Sequence, residues 1–248
     1  MIHWHAHDLY HRMPAQATAG DIAVVIDVLR ASTTMATALA HGATRIVPVA
    51  DVDEARRRAA AMTGPVLLGG ERGGVRIPGF DLGNSPLEYT PERVAGSTVV
   101  MTTTNGTAAL HACRDAGEIL VGAIVNRTAV AEWVRRLAGQ SGRAHLVCAG
   151  TDGLVTAEDV LAAGAILDAA SDDGRDDVLD DVARAALEFF RRTVSSGDAT
   201  LAIVDEFRRS PGGANLVALG MEGDLPVAAA IDAIPVVPRF DAASGGLN

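Results

Sequence analysis

Hydroxyl and amide side chains follow one apolar run near the middle of the chain, where residues 98–107 read TVVMTTTNGT. The pattern predicts a buried strand, a turn and a helix, and it places the turn at the carboxyl end of the strand, where open α/β sheets bind ligands. The first N–H groups of a helix lack intrahelical partners and attract anions, and Thr104 and Thr107 add hydroxyl donors. These residues indicate a cradle for a phosphate or sulfonate group. An ordinary strand-to-helix connection, with Thr107 as N-cap and Asn105–Gly106 as a left-handed turn, explains the pattern equally well.

A carboxylate and a guanidinium flank the end of another apolar run. Residues 22–28 read IAVVIDV, which is typical of a strand covered on both faces, and Asp27 lies near its carboxyl end. Arg30 follows in the connection to the next helix. Together the two side chains can hold a divalent cation and an anionic oxygen side by side. A mutual salt bridge that caps the helix is the alternative interpretation.

The segment between residues 69 and 91 is rich in glycine and proline, which excludes a long helix or strand there. Long irregular loops in compact domains are usually functional or disordered, and this one lacks the repetitive polar composition of a disordered linker. We therefore expect a binding loop, with a mobile surface loop as the alternative. Its candidate side chains are Glu71, Arg72, Arg76, Asp81, Asn84 and Ser85.

Two later segments repeat the order of strand, turn and helix. Asn126 ends an apolar run and again falls at the carboxyl end of a strand. The Thr156-x-x-Asp159 spacing is a capping-box variant, in which side chains satisfy the first N–H groups of a helix. This structural role explains the acidic pair Glu158 and Asp159, and a metal or general-base role is the alternative.

Histidines alternate at the start of the chain, at His3, His5 and His7, with His11 close behind. Such a tract can bind a metal, but no cysteine or acidic side chain has ligand spacing nearby. We therefore expect a partly exposed edge strand or arm.

Arginine supplies every basic side chain, because the 21 lysine-plus-arginine residues include no lysine. A Schiff-base lysine and the lysine of a P-loop are therefore excluded, and arginine must bind any anion. The formal net charge of −10 argues against a nucleic-acid partner. Two cysteines do not indicate a disulfide framework, and neither a signal-peptide pattern nor an apolar run of membrane-spanning length is found. We expect a cytoplasmic protein that binds no membrane and acts on a small anion.

Apolar runs that alternate with helical patterns predict a single α/β domain over residues 1–248, with three α/β/α layers around a mostly parallel or mixed central sheet. The 48% hydrophobic content and the 26 glycines suit a tightly packed core. From about residue 172 to 232 the chain becomes charged and then helical, which predicts a helical subdomain packed on the sheet. Its alanine-rich helices are compatible with a homodimer.

Six short motifs and the acidic pair Glu158 and Asp159 follow one another along the chain. The motifs are DVLRAST at 27–33, GERGG at 70–74, GFDLGNSP at 79–86, TTTNGT at 102–107, CAGTDG at 148–153 and GGANLVALG at 212–220. With these motifs, residues 21–238 resemble the 2-phosphosulfolactate phosphatase family, whose founding activity is a magnesium-dependent step of coenzyme M biosynthesis.

The resemblance implies hydrolysis of a phosphate monoester that carries a sulfonate and a carboxylate, giving sulfolactate and phosphate. It also implies a Mg²⁺ site, for which we expect the carboxylates of Asp27, Glu71 and Asp81. The expected catalytic residues are Asp27, Arg30, Asp81 and Asn105. The expected substrate-binding residues are Arg72, Arg76, Asn84, Ser85, Thr104, Gly106, Thr107 and Asn126. A phosphatase or lyase for another small phosphorylated acid, and a non-catalytic protein that binds an anionic metabolite, are the alternatives.

Overall fold

The computed structural model describes residues 1–139, 142–171, 176–195, 197–241 and 245–248. Residues 172–175, with which the predicted helical subdomain begins, lie outside the described residues. The strands are β1 Ile2–His7, β2 Ile22–Ile26, β3 Arg45–Pro48, β4 Val66–Arg72, β5 Val75–Arg76, β6 Thr98–Thr102, β7 Glu118–Gly122, β8 Gly142–Cys148, β9 Val178–Leu179, β10 Phe240–Asp241 and β11 Gly246–Leu247. The helices are α1 Ala31–Ala40, α2 Val52–Ala61, α3 Pro91–Val94, α4 Gly106–Ala112, α5 Arg127–Ala138, α6 Ala157–Ser171, α7 Asp181–Thr193, α8 Ala199–Arg209, α9 Pro211–Ala218 and α10 Asp224–Ala229.

The strands of the described residues form two sheets. The first has the order β7-β2-β8-β1-β9, and its strands pair in parallel. The second has the order β10-β11-β3-β6-β4-β5, with β3, β6 and β4 parallel and the outer strands antiparallel. The α/β class is therefore confirmed, but two sheets replace the single central sheet that we expected. Strand pairing is non-local, so a local apolar pattern identifies strands without identifying their partners.

One strand shows how the sheets are joined. All five residues of β2 are buried, as a strand covered on both faces requires. Val24 and Ile26 belong to a core with α5, α6 and α7, whereas Ala23 and Val25 belong to a second core. That second core also contains residues of α1, α4 and both β3 and β6, so α1 and α4 lie between the two sheets. The first sheet thus has the three α/β/α layers that the sequence predicts.

The helices α7 to α10 pack on the first core. Phe190, Phe207, Leu216 and Leu225 are buried in the same cluster as residues of β2 and α6. Among the described residues, no helix combines the length and the apolar character needed to cross a bilayer.

The histidine-bearing strand β1 lies one position inside the sheet edge, between β8 and the two-residue strand β9. His5 and His7 stack on His145 of β8, with ring centroids 5.0 and 5.3 Å apart. No group of three or more His, Cys, Asp or Glu side chains within the described ranges is arranged to hold a metal ion.

Candidate active site

A cleft of about 110 Å³ opens where the two sheets meet. Each wall comes from a different part of the chain: Asp27 follows β2, Glu71 lies in β4, Asn105 follows β6 and Asn215 lies in α9. The carboxyl ends of parallel strands are the usual place for ligand binding in α/β folds. The structure therefore joins segments that are far apart in sequence into one concave site.

Asp27 lies at the floor of this cleft, with only 8% of its surface exposed. The N–H of Ala31 donates to its Oδ1 at 3.3 Å. Burial raises the pKa of Asp27 to about 7, and the negative charges of Glu71 and Glu158 act in the same direction. Hydrogen bonds from the N–H groups of Ala31 and Gly106 partly oppose this rise. An acidic group in this setting favours a positively charged ligand.

Glu71 occupies the turn that we expected to bind an anion. Its Oε1 accepts hydrogen bonds from the backbone N–H and the hydroxyl of Thr104, at 2.8 and 3.0 Å. Its Oε2 accepts from the N–H of Gly74 at 2.7 Å. The hairpin between β4 and β5 turns at Gly73 and Gly74, whose φ values of +59° and +83° suit glycine. The pairing of β4 with β6, which runs to Gly70 and Thr102, thus places Glu71 beside the turn that follows β6.

N–H groups in the first turn of α4 already have hydrogen-bond acceptors within the protein. The N–H of Thr107 donates to Thr103 Oγ1 at 3.2 Å, and the N–H of Gly106 serves the carboxylate of Asp27. Thr107 lies inside the helix, and Asn105 precedes it as N-cap with φ −114°, so Thr107 is not the N-cap and Asn105 is not left-handed. The predicted anion cradle is therefore lined by carboxylates of the chain itself.

Arg30 lies beside these carboxylates and is 4% exposed. Its Nη1 donates to Asp224 Oδ2 at 2.8 Å and its Nη2 donates to the carbonyl of Gly74 at 2.7 Å. Arg30 therefore pairs with Asp224 rather than with Asp27, contrary to the salt bridge that was the alternative interpretation. Within the described ranges, its Nε–H and one Nη2 hydrogen have no protein acceptor.

Two neighbouring residues of the 69–91 loop also reach this region. Asn84 lines the cleft, is 5% exposed, and its Oδ1 has no hydrogen-bond partner among the described residues. The hydroxyl of Ser85 donates to Asp224 Oδ1 at 2.6 Å. Buried acceptors without a donor are rare in proteins, so the orphaned oxygen of Asn84 indicates a place for a ligand.

Three other residues of that loop do not reach the cleft. Asp81 is exposed, and its Oδ2 accepts from the N–H of Leu68 at 2.8 Å, so it is not brought to Asp27 and Glu71. Arg72 is exposed and donates to Thr102 Oγ1 at 2.9 Å. Arg76 is also exposed and donates to the carbonyl of Asp81 at 3.3 Å.

Asn126 is likewise built into the scaffold. Its Oδ1 accepts from the N–H of Ala123 at 2.8 Å, and its Nδ2 donates to the carbonyls of Val121 and Val236 at 3.2 and 2.9 Å. The side chain is fully buried and does not line the cleft. These bonds leave no free donor for a substrate.

The acidic pair after β8 has a larger role than the capping box suggested. Asp159 is buried and accepts from the N–H groups of Val28 and Gly150, both at 2.9 Å, so it ties the loop after β8 to the end of β2. Thr156 Oγ1 has no partner among the described residues, so the predicted capping box does not form. Burial raises the pKa of Asp159, and so do the charges of Asp27 and Glu158.

Glu158 lies next to the cleft, behind the lining residue Gly212, where the capping-box interpretation did not place it. It is buried, its Oε2 has no partner among the described residues, and burial raises its pKa. It faces the start of α9: a Cβ at Gly212, which lines the cleft, would meet Glu158 Oε1, so a larger residue there would force this carboxylate to move. The placement of an acidic pair after a strand and a glycine turn is the signal that could have identified it.

The donor set of the cleft suits Mg²⁺. This cation prefers hard oxygen ligands and is usually held by one or two carboxylates together with water and substrate phosphate. Asp27, Glu71 and the orphaned Oδ1 of Asn84 are ligands of this kind. Because the described residues offer no three-residue His, Cys, Asp or Glu cluster, the remaining positions would belong to water and substrate.

Comparisons with known proteins identify the family of this chain. Residues 8–243 match the family model described as 2-phosphosulpholactate phosphatase. The chain is 42% identical over 230 residues to a "Probable 2-phosphosulfolactate phosphatase" of Symbiobacterium thermophilum, covering 92% of this chain and 94% of that one. It is 44% identical over 233 residues to a protein of the same description from Deinococcus radiodurans, covering 92% of each. The chain therefore belongs to the 2-phosphosulfolactate phosphatase family.

Proposed function

We propose that this protein is a phosphatase that hydrolyses a small phosphorylated acid, 2-phosphosulfolactate, to sulfolactate and phosphate. The observation that carries the proposal is the meeting of two carboxylates, Asp27 and Glu71, with the partly free guanidinium of Arg30 in one cleft. Oppositely charged groups side by side suit a phosphate ester with its counter-cation. The names of the relatives support the choice of substrate.

Asp27 and Glu71 would hold Mg²⁺, with Asn84 Oδ1 as a neutral oxygen ligand. When bound, the cation supplies electrostatic stabilisation of the charge on the transferring phosphoryl group. Arg30 would donate its Nε–H and its free Nη2 hydrogen to phosphate oxygens, and Asn105 and Asn215 would add neutral hydrogen bonds. Phosphoryl transfer depends mainly on such positioning and charge stabilisation.

The reaction needs one water molecule for each ester. The oxygen of water bonds to phosphorus, the bond between phosphorus and the ester oxygen breaks, and a proton reaches the departing alcohol. The small volume of the cleft, about 110 Å³, and the burial of Asp27 limit the space for bulk water. A dry, charged site strengthens the electrostatic interactions on which this step depends.

Phosphate release from a panel of small phosphorylated acids, with and without Mg²⁺, tests the proposal. The panel should contain 2-phosphosulfolactate and matched acids that lack the sulfonate or the carboxylate. We expect release that requires the cation and is fastest with the sulfonated substrate. Release from another acid alone would identify a different phosphatase, and no release from any substrate would favour the metabolite-binding alternative.

A place in coenzyme M biosynthesis, a cytoplasmic location and a homodimeric state are further parts of this proposal. The first two follow from the resemblance and composition described above. Light scattering during size-exclusion chromatography would decide the third.

A further inference from the structure

Asp224, the first residue of α10, contacts two residues from distant parts of the chain. It is 2% exposed, and both of its carboxylate oxygens are used. Oδ2 accepts from Arg30 Nη1 at 2.8 Å, and Oδ1 accepts from Ser85 Oγ at 2.6 Å. Arg30, Asp224 and Ser85 thus form a triad of hydrogen-bonded side chains. Of the three, Arg30 lines the cleft and Asp224 and Ser85 do not.

The triad fixes the orientation of Arg30. Asp224 holds one side of the guanidinium at Nη1, where Met221 Sδ also lies 3.0 Å away. Gly74 holds Nη2 from the other side, through its carbonyl. The guanidinium is planar and its donors point in fixed directions, so two anchors determine where the remaining N–H groups point.

The electrostatic surroundings explain why an anchor is needed. Arg30 shares its cleft with the carboxylates of Asp27 and Glu71, and a buried guanidinium without a partner would be strongly attracted to them. Such a contact would neutralise the cation-binding carboxylates and the anion-binding arginine together. A buried ion pair seldom adds net stability, because desolvation offsets its Coulomb energy. Stability alone therefore does not account for Asp224.

We infer that Asp224 is a positioning residue, which holds Arg30 away from Asp27 and Glu71 and turns its free N–H groups toward a bound phosphate. The inference rests on the proposed role of Arg30 in anion binding. It gives α10 a part in the site, because Asp224 holds Arg30 in place only when α10 is docked. Ser85, in turn, acts through Asp224 rather than by direct contact with substrate.

The test is the affinity of the whole protein for inorganic phosphate and for Mg²⁺, measured separately by titration calorimetry, in Asp224→Asn and wild type. Asparagine keeps the shape but removes the charge that holds Arg30. We expect at least a tenfold loss of affinity for both ions, since Arg30 then turns to Asp27 and Glu71. A purely structural role would lower the thermal midpoint and leave both affinities of the folded protein unchanged, and this result would overturn the inference.

Asp232→Asn is the matched control. Asp232 also joins an arginine and a hydroxyl, through Arg127 Nε at 3.2 Å and Thr128 Oγ1 at 2.7 Å, but it lies away from the cleft. We expect both ion affinities to stay within twofold of wild type. Equal losses in Asp232→Asn and Asp224→Asn would also contradict the inference.

Ser85→Ala provides the decision if Asp224→Asn does not fold. It removes the hydroxyl that donates to Asp224 Oδ1 but keeps every charge. We expect a loss of phosphate affinity of about threefold. An unchanged affinity in this variant overturns the inference. Because the readout is binding, a wild type that binds phosphate but hydrolyses no substrate would defeat the proposed function and leave this inference standing.

Discussion

Glu71 of β4 and Thr104, which follows the neighbouring strand β6, form a contact in the wall of the cleft. One carboxylate oxygen accepts both the backbone N–H and the hydroxyl of Thr104, at 2.8 and 3.0 Å. The N–H group that would otherwise receive an anion is thus satisfied by a carboxylate. In the proposed mechanism this turn orients a cation ligand, which leaves Arg30 as the main group expected to bind the phosphate.

Replacement of Asp27 by asparagine should abolish turnover while the fold is retained. The variant keeps the side-chain volume but loses one of the two carboxylates proposed to hold Mg²⁺. We expect phosphate release to fall at least about a hundredfold, in the range seen when a main electrostatic group is removed from an active site. Steady-state release assays and circular dichroism would check this pair of outcomes.

Asp81→Asn separates the sequence-based expectation from the structure. Because the carboxylate of Asp81 is bound to Leu68 N–H outside the cleft, we expect turnover within about threefold of wild type. A loss as large as that of Asp27→Asn would show that Asp81 acts in the reaction.

The stability of the metal-free protein should depend on the charge of Asp27. Its pKa is about 7 in the folded protein and 3.8 as a free side chain, so the folded state binds more protons between these values. The stabilisation by the neutral form is complete below pH 3.8 and is lost as the pH rises through 7. Urea unfolding with a chelator should show a decrease from pH 5 to pH 8 in wild type that is smaller in Asp27→Asn.

Glu71→Gln should weaken Mg²⁺ binding. Glu71 accepts from Thr104 N–H with one carboxylate oxygen and from Gly74 N–H with the other. Glutamine has a single side-chain oxygen, so its NH₂ group must face one of these two N–H donors. The loss of charge and of this anchoring should reduce the affinity for Mg²⁺ by about 10- to 100-fold, as measured by calorimetry. Glu222→Gln, in an exposed ion pair with Arg208, is the control and should bind as wild type does.

Asn126→Ala should destabilise the protein without changing substrate affinity. The substitution leaves the N–H of Ala123 and the carbonyls of Val121 and Val236 without their side-chain partner. Each unsatisfied buried group costs about 1–3 kcal/mol, so we expect a decrease of several kcal/mol in the free energy of unfolding. A raised KM with unchanged stability would instead assign Asn126 to substrate binding.

His7 should make the protein less stable in mild acid. Burial lowers the pKa of His7 from 6.5 to about 4, and the neighbouring His145 and His5 act in the same direction against Asp180 and Asp8. Because the folded pKa is the lower one, stability is complete above pH 6.5 and is lost as the pH falls toward 4. The side chain is only partly buried, so after allowance for solvent screening the loss is of the order of 1 kcal/mol. Urea unfolding of wild type and His7→Gln at pH 7.5 and pH 5 should show this contribution as a difference between the two proteins: relative to wild type, His7→Gln should be more stable at pH 5 than at pH 7.5.

The sequence predicted the local parts of the site well. The strands that end near Asp27 and Asn105 follow from apolar runs, and the turns follow from glycine and threonine, because these signals depend on neighbouring residues. Glu71 was expected in the irregular 69–91 loop but lies in β4, because pairing with β6 extends this strand through its glycines. The same signals placed Asn126 at a strand end, but they could not show that its amide is used by the backbone.

Partner choice could not be predicted in this way. Glu71 binds Thr104 across 33 positions, and Arg30 binds Asp224 across 194, so neither contact leaves a trace in local periodicity. The burial of Glu158 depends on α9, whose Gly212 packs against its carboxylate. The division of the strands into two sheets has the same origin, since it depends on which strands pair.

The β4–β5 hairpin carries both Glu71 and the Gly74 carbonyl that holds Arg30, three positions apart. A displacement of this short turn would therefore release a cation ligand and an anchor of the anion-binding arginine in one movement. The proposed cation site and the proposed anion site are therefore mechanically coupled, and a substitution in this turn would disturb both at once.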